Sequence, residues 1–178
     1  MSLLKGMNAV TRLLDLEEFE VVDMCEDPKR QVRQMVVIPR VGAGVCPQCR
    51  KVTTQRHQTR ERTVRDLPMG RYATELHVRQ PQYQCPDCGK VFTARFSALA
   101  ESAHATERFL ERLAQMMRWG DLKNASAFFG LPEKTLEGWY YDYLERHSAA
   151  TLAQRQPVRS LGIDEISRKK SVDGSAVC

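Results

Sequence analysis

Cys46-Pro-Gln-Cys49 and Cys85-Pro-Asp-Cys-Gly89 are the two stretches on which the reading of this chain turns. Each places two thiols close enough for one tight turn to aim both at a single ion, and Pro47 and Pro86 stiffen those turns by fixing one backbone dihedral each. Four thiolates are a complete tetrahedral set for structural zinc, with sulfur about 2.3 Å from the metal. Cys46, Cys49, Cys85 and Cys88 are therefore the expected metal ligands. Gly89 suits a knuckle whose chain turns back with its N–H groups toward sulfur, whereas the first pair is followed by Arg50, a less ideal turn. A rubredoxin-like iron site, and with it electron transfer, is the competing reading of the same motif. With the cysteine set complete, His57, His77, His104 and His147 read as surface or packing residues, and Cys25 and Cys178 as bystanders.

Working outward, residues 50–84 separate the pairs, a longer insert than the usual zinc template but enough for a hairpin. Thr63–Leu67 and Tyr72–Arg79 alternate as two strands around Pro68-Met-Gly70, the second running on toward Cys85. Upstream, Phe19–Met24 and Gln31–Ile38 form another strand pair around Glu26-Asp-Pro-Lys29. Before them, Leu3, Met7, Val10 and Leu14 recur at helical spacing.

The net charge of +5 is unevenly placed: residues 46–100 hold 10 basic and 4 acidic side chains, net +6, while residues 101–150 are net −2. A basic stripe on the cysteine-bearing segment favours a phosphate backbone as partner, bound in a salt-sensitive way. Arg50, Lys51, Arg56, Arg60, Arg62, Arg65, Arg71, Arg79 and Lys90 are the candidate contacts. A solvated basic surface is the plainer alternative. No run is long and apolar enough to span a membrane, and paired rather than scattered cysteines fit a reducing compartment, so the expectation is a cytoplasmic, nucleoid-associated protein with no membrane partner.

After Phe96 the hydrophobic spacing changes from about 2 to about 3.6 residues. Thr106 is placed to cap a helix carrying Phe109, Leu110, Leu113 and Met117; Asp121 a second, with Leu122, Ala125 and Phe129, stopped by Gly130. Pro132 opens a third, whose apolar face is Leu136, Trp139, Tyr140, Tyr143 and Leu144. Leu136 and Trp139 lie six and nine residues after Gly130, a spacing that fits a helix-turn-helix. Its exposed readers would be Glu133, Lys134, Glu137, Gly138 and Tyr141, with Lys134 and Arg118 on phosphates. A plain three-helix packing bundle is the alternative.

Taken in order, Cys46-Pro-Gln-Cys49, Arg65-Asp-Leu-Pro-Met-Gly70, Gln84-Cys-Pro-Asp-Cys-Gly-Lys-Val-Phe92, the three helices and Leu161-Gly-Ile-Asp-Glu-Ile-Ser-Arg-Lys169 resemble the N-terminal portion of insertion-sequence transposases of the ISL-three family. The residues themselves give an α+β chain: an N-terminal helix (1–15), a β-rich zinc-binding domain (16–100), a helix-turn-helix domain (101–148) and a linker (149–160); the resemblance, which runs from about Leu14 to Lys169, implies that residues 161–178 hold the truncated first strand of a ribonuclease-H-like catalytic domain, followed by a tail unrelated to the family. The resemblance also implies that the zinc and helical parts bind double-stranded DNA at the element's terminal inverted repeats, with homo-oligomerisation as a further expectation. It maps Asp164 onto the first acid of a catalytic triad that would use a divalent metal such as Mg in the full-length family member. The expected Gly-His and aromatic continuation is missing after Lys170, so the chain is expected to be truncated or frameshifted and not an enzyme on its own. A standalone zinc-ribbon and helix-turn-helix regulator, or an RNA-associated module, is the alternative function.

Overall fold

Alternation of buried and exposed side chains builds the central sheet. The computed structural model describes residues 9–153. A helix over residues 9–14 (α1) buries Leu14 and leads into strand β1 (Phe19–Asp27), which turns back into β2 (Val32–Pro39) as an antiparallel pair. The Asp27 carboxylate closes that turn by accepting from the Lys29 and Arg30 N–H groups at 3.0 and 3.1 Å. The second hairpin joins β5 (Arg56–Met69) to β6 (Tyr72–Gln84), with Gly70 at φ +66° in the first of two loop positions, where a tight hairpin requires positive φ.

β6 also lies parallel to β2, giving the order β1-β2-β6-β5. Parallel neighbours need a long crossover. Here the crossover runs through the short strands β3 (Gly44–Val45) and β4 (Val52–Thr53), which flank the first Cys pair, and then β5; the second pair follows β6, and β7 (Val91–Thr93) folds back to pair with β6 just after it. One face of the sheet, with Phe19, Val21, Met35, Val37, Val64, Leu76 and Val78, packs on Leu14, Leu16 and Leu99. The Phe19 and Phe96 rings lie 4.9 Å apart at the margin of that core.

Three helices follow, α2 (Glu107–Met117), α3 (Leu122–Phe129) and α4 (Glu133–Ala153), around Phe109, Leu110, Leu113, Ala125, Phe129 and Leu136. Their ends are set as the residue types predict. Thr106 Oγ1 accepts from the Phe109 N–H at 3.3 Å, Asp121 Oδ1 from the Asn124 N–H at 2.8 Å, and Gly130 takes the left-handed cap at φ +63°. Trp139, Tyr140 and Tyr143 pack against this cluster, but Leu144 is exposed, because eight residues on from Leu136 it lies about 80° round the helix, at the flank of the apolar stripe. α4 also continues through residues 149–153, into the stretch read as linker. Residues 161–178, with Asp164 and the expected catalytic strand, lie outside the described residues.

A buried ionic clasp joins helices to sheet. The Asp66 carboxylate on β5, fully enclosed, accepts from Thr106 Oγ1 at 2.7 Å and Arg108 Nε at 2.8 Å, and pairs again with Arg108 Nη2. The same guanidinium donates to the carbonyls of Leu14 and Asp15 at 2.7 and 3.0 Å, so one side chain ties α1, β5 and α2. Removing one partner of such a pair strands a buried charge. Arg108→Met is expected to lower the unfolding free energy by about 3–5 kcal/mol, read from urea denaturation, and by clearly more than Arg112→Met on the exposed side of the same helix.

Candidate metal centre

Each cysteine pair sits in a backbone loop of the same design. The Cys46 N–H donates to the Lys51 carbonyl at 2.8 Å and the Arg50 N–H to the Cys46 carbonyl at 2.9 Å; in the second loop the Cys85 N–H donates to Lys90 and the Gly89 N–H to Cys85, both at 2.9 Å. Arg50 and Gly89 occupy equivalent places and both take positive φ, +61° and +70°. Glycine does so freely; an arginine there costs about 1–2 kcal/mol. The strain marked in the sequence by Arg50 is thus real.

The loops face each other across the end of the β5–β6 hairpin. Cys46 Sγ lies 3.6 Å from Cys88 Sγ and Cys49 Sγ 3.4 Å from Cys85 Sγ, and all four sulfurs fall within 4.8 Å of one another. Sulfurs held about 2.3 Å from one ion in a tetrahedron lie roughly 3.8 Å apart, so the donor set fits zinc without rearrangement. Cys46 and Cys85 are buried, while Cys49 and Cys88 keep partial exposure. The thiols also interact electrically. A hydrogen bond from the Cys49 backbone holds the Cys46 thiol down at about 7. Cys88 accepts the Lys90 N–H, which acts to lower it, yet burial and the sulfurs of Cys46, Cys85 and Cys49 push it up to about 12. Four thiols this close cannot all ionise on their own; a dication among them makes four thiolates compatible.

Behind the site, Gly44 is packed so tightly that a Cβ would come within 2.6 Å of the Tyr83 ring, which lies 6.0 Å from that of Phe92. Thr53 Oγ1 and the Gln55 carbonyl tie the first loop's exit to Gln84, just before Cys85. A cleft of about 600 Å³ opens beside Cys46, lined in part by Arg50, Gln80, Phe92 and Arg95. Arg95, which is outside the basic set singled out from the sequence, lies just beyond the second knuckle and pairs with Glu101 at 2.9 Å.

The candidate phosphate contacts divide into two groups. Arg50, Arg56, Arg60, Arg71, Lys90, Arg118, Lys134 and Tyr141 are exposed, as is Arg79, which lies 3.8 Å from Glu61. Lys51 is exposed but bridges the two knuckles through Asp87 at 2.6 Å. Arg62 and Arg65 are occupied internally. Arg62 Nη2 donates to the Ala100 and Ala103 carbonyls at 2.6 and 2.7 Å, and Arg65 pairs with the buried Glu75 at 3.1 Å, which also accepts from Gln34 Nε2 at 3.2 Å. Alternation places these two on opposite faces of β5, each meeting an acceptor distant along the chain.

Residues 42–88, which contain all four cysteines, match the zinc-finger of transposase IS204/IS1001/IS1096/IS1165. The chain is 27% identical over 155 residues to the transposase for insertion sequence element IS1001 of Bordetella parapertussis. It is similar to the N-terminal part of an insertion-sequence transposase. The match covers 85% of this chain and 36% of that relative, so the chain spans little more than a third of the transposase's length. No solved structure matches. The zinc-finger match favours zinc over the rubredoxin-like iron reading, and no helix among the described residues is long and apolar enough to cross a membrane.

The purified transposase-like chain is expected to carry about one zinc ion, released by chelators or by Cys88→Ser, with affinity falling as pH falls because binding expels thiol protons. None of the four cysteines belongs to the sheet or helix cores. Far-UV circular dichroism should therefore keep its helical signal on metal loss, while amide exchange accelerates over residues 44–62 and 80–93. Arg50→Gly should raise the stability of the zinc-loaded chain by about 1 kcal/mol, measured by thermal melting.

Proposed function

We propose that this chain is a DNA-binding part of an insertion-sequence transposase that recognises the terminal inverted repeats of its element. The observation that carries the reading is the exposed half of β5. Over residues 56–61 every side chain is exposed, and Arg56 and Arg60 stand there with no side-chain partner among the described residues. Arg50, Lys90 and Arg79 extend that charge along the same arm and ribbon. Guanidinium groups held on a stiff two-stranded arm release counterions from a phosphate backbone, giving affinity without sequence choice.

Sequence choice falls to α3 and α4, read as a helix-turn-helix around Gly130. Supporting this, Leu136 is buried against the helix cluster while Glu133, Lys134, Glu137, Gly138 and Tyr141 are all exposed on the first turns of α4. Carboxylates on a reading helix accept from the cytosine amino group, so Glu133 and Glu137 are compatible with base contacts although they oppose phosphate contacts. The four cysteines hold a structural zinc that keeps the arm's far end folded. By the same resemblance Asp164 is an acid of the catalytic domain, using a divalent metal such as Mg, and takes no part in DNA binding by the arm and α4.

Fluorescence anisotropy with the element's terminal repeats, at several salt concentrations, tests this reading. Arg56→Ala with Arg60→Ala should weaken binding to every sequence alike and reduce the slope of log K against log salt by about 2. Lys134→Ala should act as one phosphate contact, reducing the slope by about 1, and Glu137→Ala should change which repeats are preferred. Absence of binding at low salt by the zinc-loaded chain would end the proposal.

A further inference from the structure

Trp119 is the most exposed of the large hydrophobic side chains in the described residues, at 92%. Its backbone is nevertheless fixed. The Trp119 and Gly120 N–H groups both donate to the Met116 carbonyl, at 3.2 and 2.9 Å, and Asp121 then caps α3. The ring therefore projects from a rigid turn between two helices. It is not a core residue out of place, for Phe109, Leu110 and Leu113 already supply the buried face of α2. The other tryptophan, Trp139, shows ordinary packing, edge-on to Phe109 at 5.9 Å.

Beside Trp119 lies a recess of about 590 Å³ lined by Arg112, Gln115, Met116, Arg118 and Gly120. Both charged groups in that lining are guanidiniums, and none is acidic. Arg112 has one weak neighbour, Gln115 Oε1 at 3.3 Å. A flat apolar ring next to two cations matches the two halves of a nucleotide: a base face stacks on the indole while neighbouring phosphates meet the arginines. A peptide partner would instead offer a side chain to be received in a pocket, and Trp119 is a protruding ring on a turn.

Resting on the DNA-binding reading above, we infer that Trp119, with Arg112 and Arg118, stacks on an unpaired or unstacked base of the bound DNA. Stacking demands an accessible base face, so the α2–α3 turn selects DNA with an opened step or a single-stranded portion over a continuous duplex. The reading helix and the basic arm do not need this contact to hold intact DNA.

The 178-residue chain is titrated at low salt with a mixed-sequence duplex, the same duplex with one unpaired base, and the corresponding single strand. The expected result is quenching of Trp119 emission, taken as the difference between wild type and Trp119→Ala, that is strongest where a base is unpaired. Trp119→Ala should weaken binding to those DNAs by about fivefold or more, spare the intact duplex, and leave the thermal melt unchanged; Trp119→Phe should restore most of the loss. Binding with unmoved Trp119 emission and unchanged affinity in Trp119→Ala overturns this inference alone. So does equal quenching by a polyglutamate peptide, which would make the turn a protein-docking site. Failure of the wild-type chain to bind any of the oligonucleotides overturns the DNA-binding reading and removes this inference with it.

Discussion

Four sulfurs in one shell close an excursion whose own sequence could not close itself. Between the cysteine pairs the chain runs through Arg56-His-Gln-Thr-Arg-Glu-Arg62, which has no apolar face to bury. A strand of that composition has little to hold it except its ladder to β6 and whatever fixes its far end. The cysteine site supplies the second restraint, joining the loop before β5 to the loop after β6. For segments this small, metal binding is folding free energy, on the order of 10 kcal/mol for structural zinc. That is far more than the Lys51–Asp87 bridge across the same two loops can contribute at its level of exposure.

At its other end the hairpin is held by different chemistry. Val64, Leu76 and Val78 are in the sheet core, and Asp66 is enclosed beneath Thr106 and Arg108. The segment joining sheet to helices is then pinned by Arg62 on the Ala100 and Ala103 carbonyls, and by Glu18 accepting from Ser97 and Ala98. One strand thus changes character along its length, from a residue-by-residue fit to the body at Val64–Asp66 to exposed side chains held by the ladder to β6 at Arg56–Glu61. Arginine does both jobs. Where backbone carbonyls or a carboxylate lie within reach, its planar fork is used for structure; where none does, it remains available to an anion outside.

That division explains what could be read in advance. The metal ligands were legible because Cys-x-x-Cys is a local geometric statement, and Thr106, Asp121 and Gly130 were legible as helix ends because capping is also local. The β-hairpins show wherever one face is buried. The first half of β5 does not, since an exposed edge stretch carries no alternation: the pattern starts the strand at Thr63, whereas it begins at Arg56. Arg62 and Arg65 read as surface charge for a related reason: their partners lie far along the chain, and nothing local distinguishes them from Arg60. Arg108 was overlooked altogether, hidden in a helix whose apolar spacing accounted for it as a polar position.

The same constraint bears on how such a chain would meet DNA. Because Arg108 binds α2 to β5 and to the carbonyls ending α1, the helix cluster and the sheet are not free to turn against each other without breaking a buried ion pair. On the proposed DNA-binding reading, the basic arm and α4 are fixed to one frame and must reach their contacts together, and little ordering entropy remains to be lost when they do. The part whose placement depends on zinc is then the far half of the arm and the ribbon, where the unpartnered arginines are. Metal occupancy and phosphate contact would therefore be linked through the position of a strand, with no metal–DNA contact required.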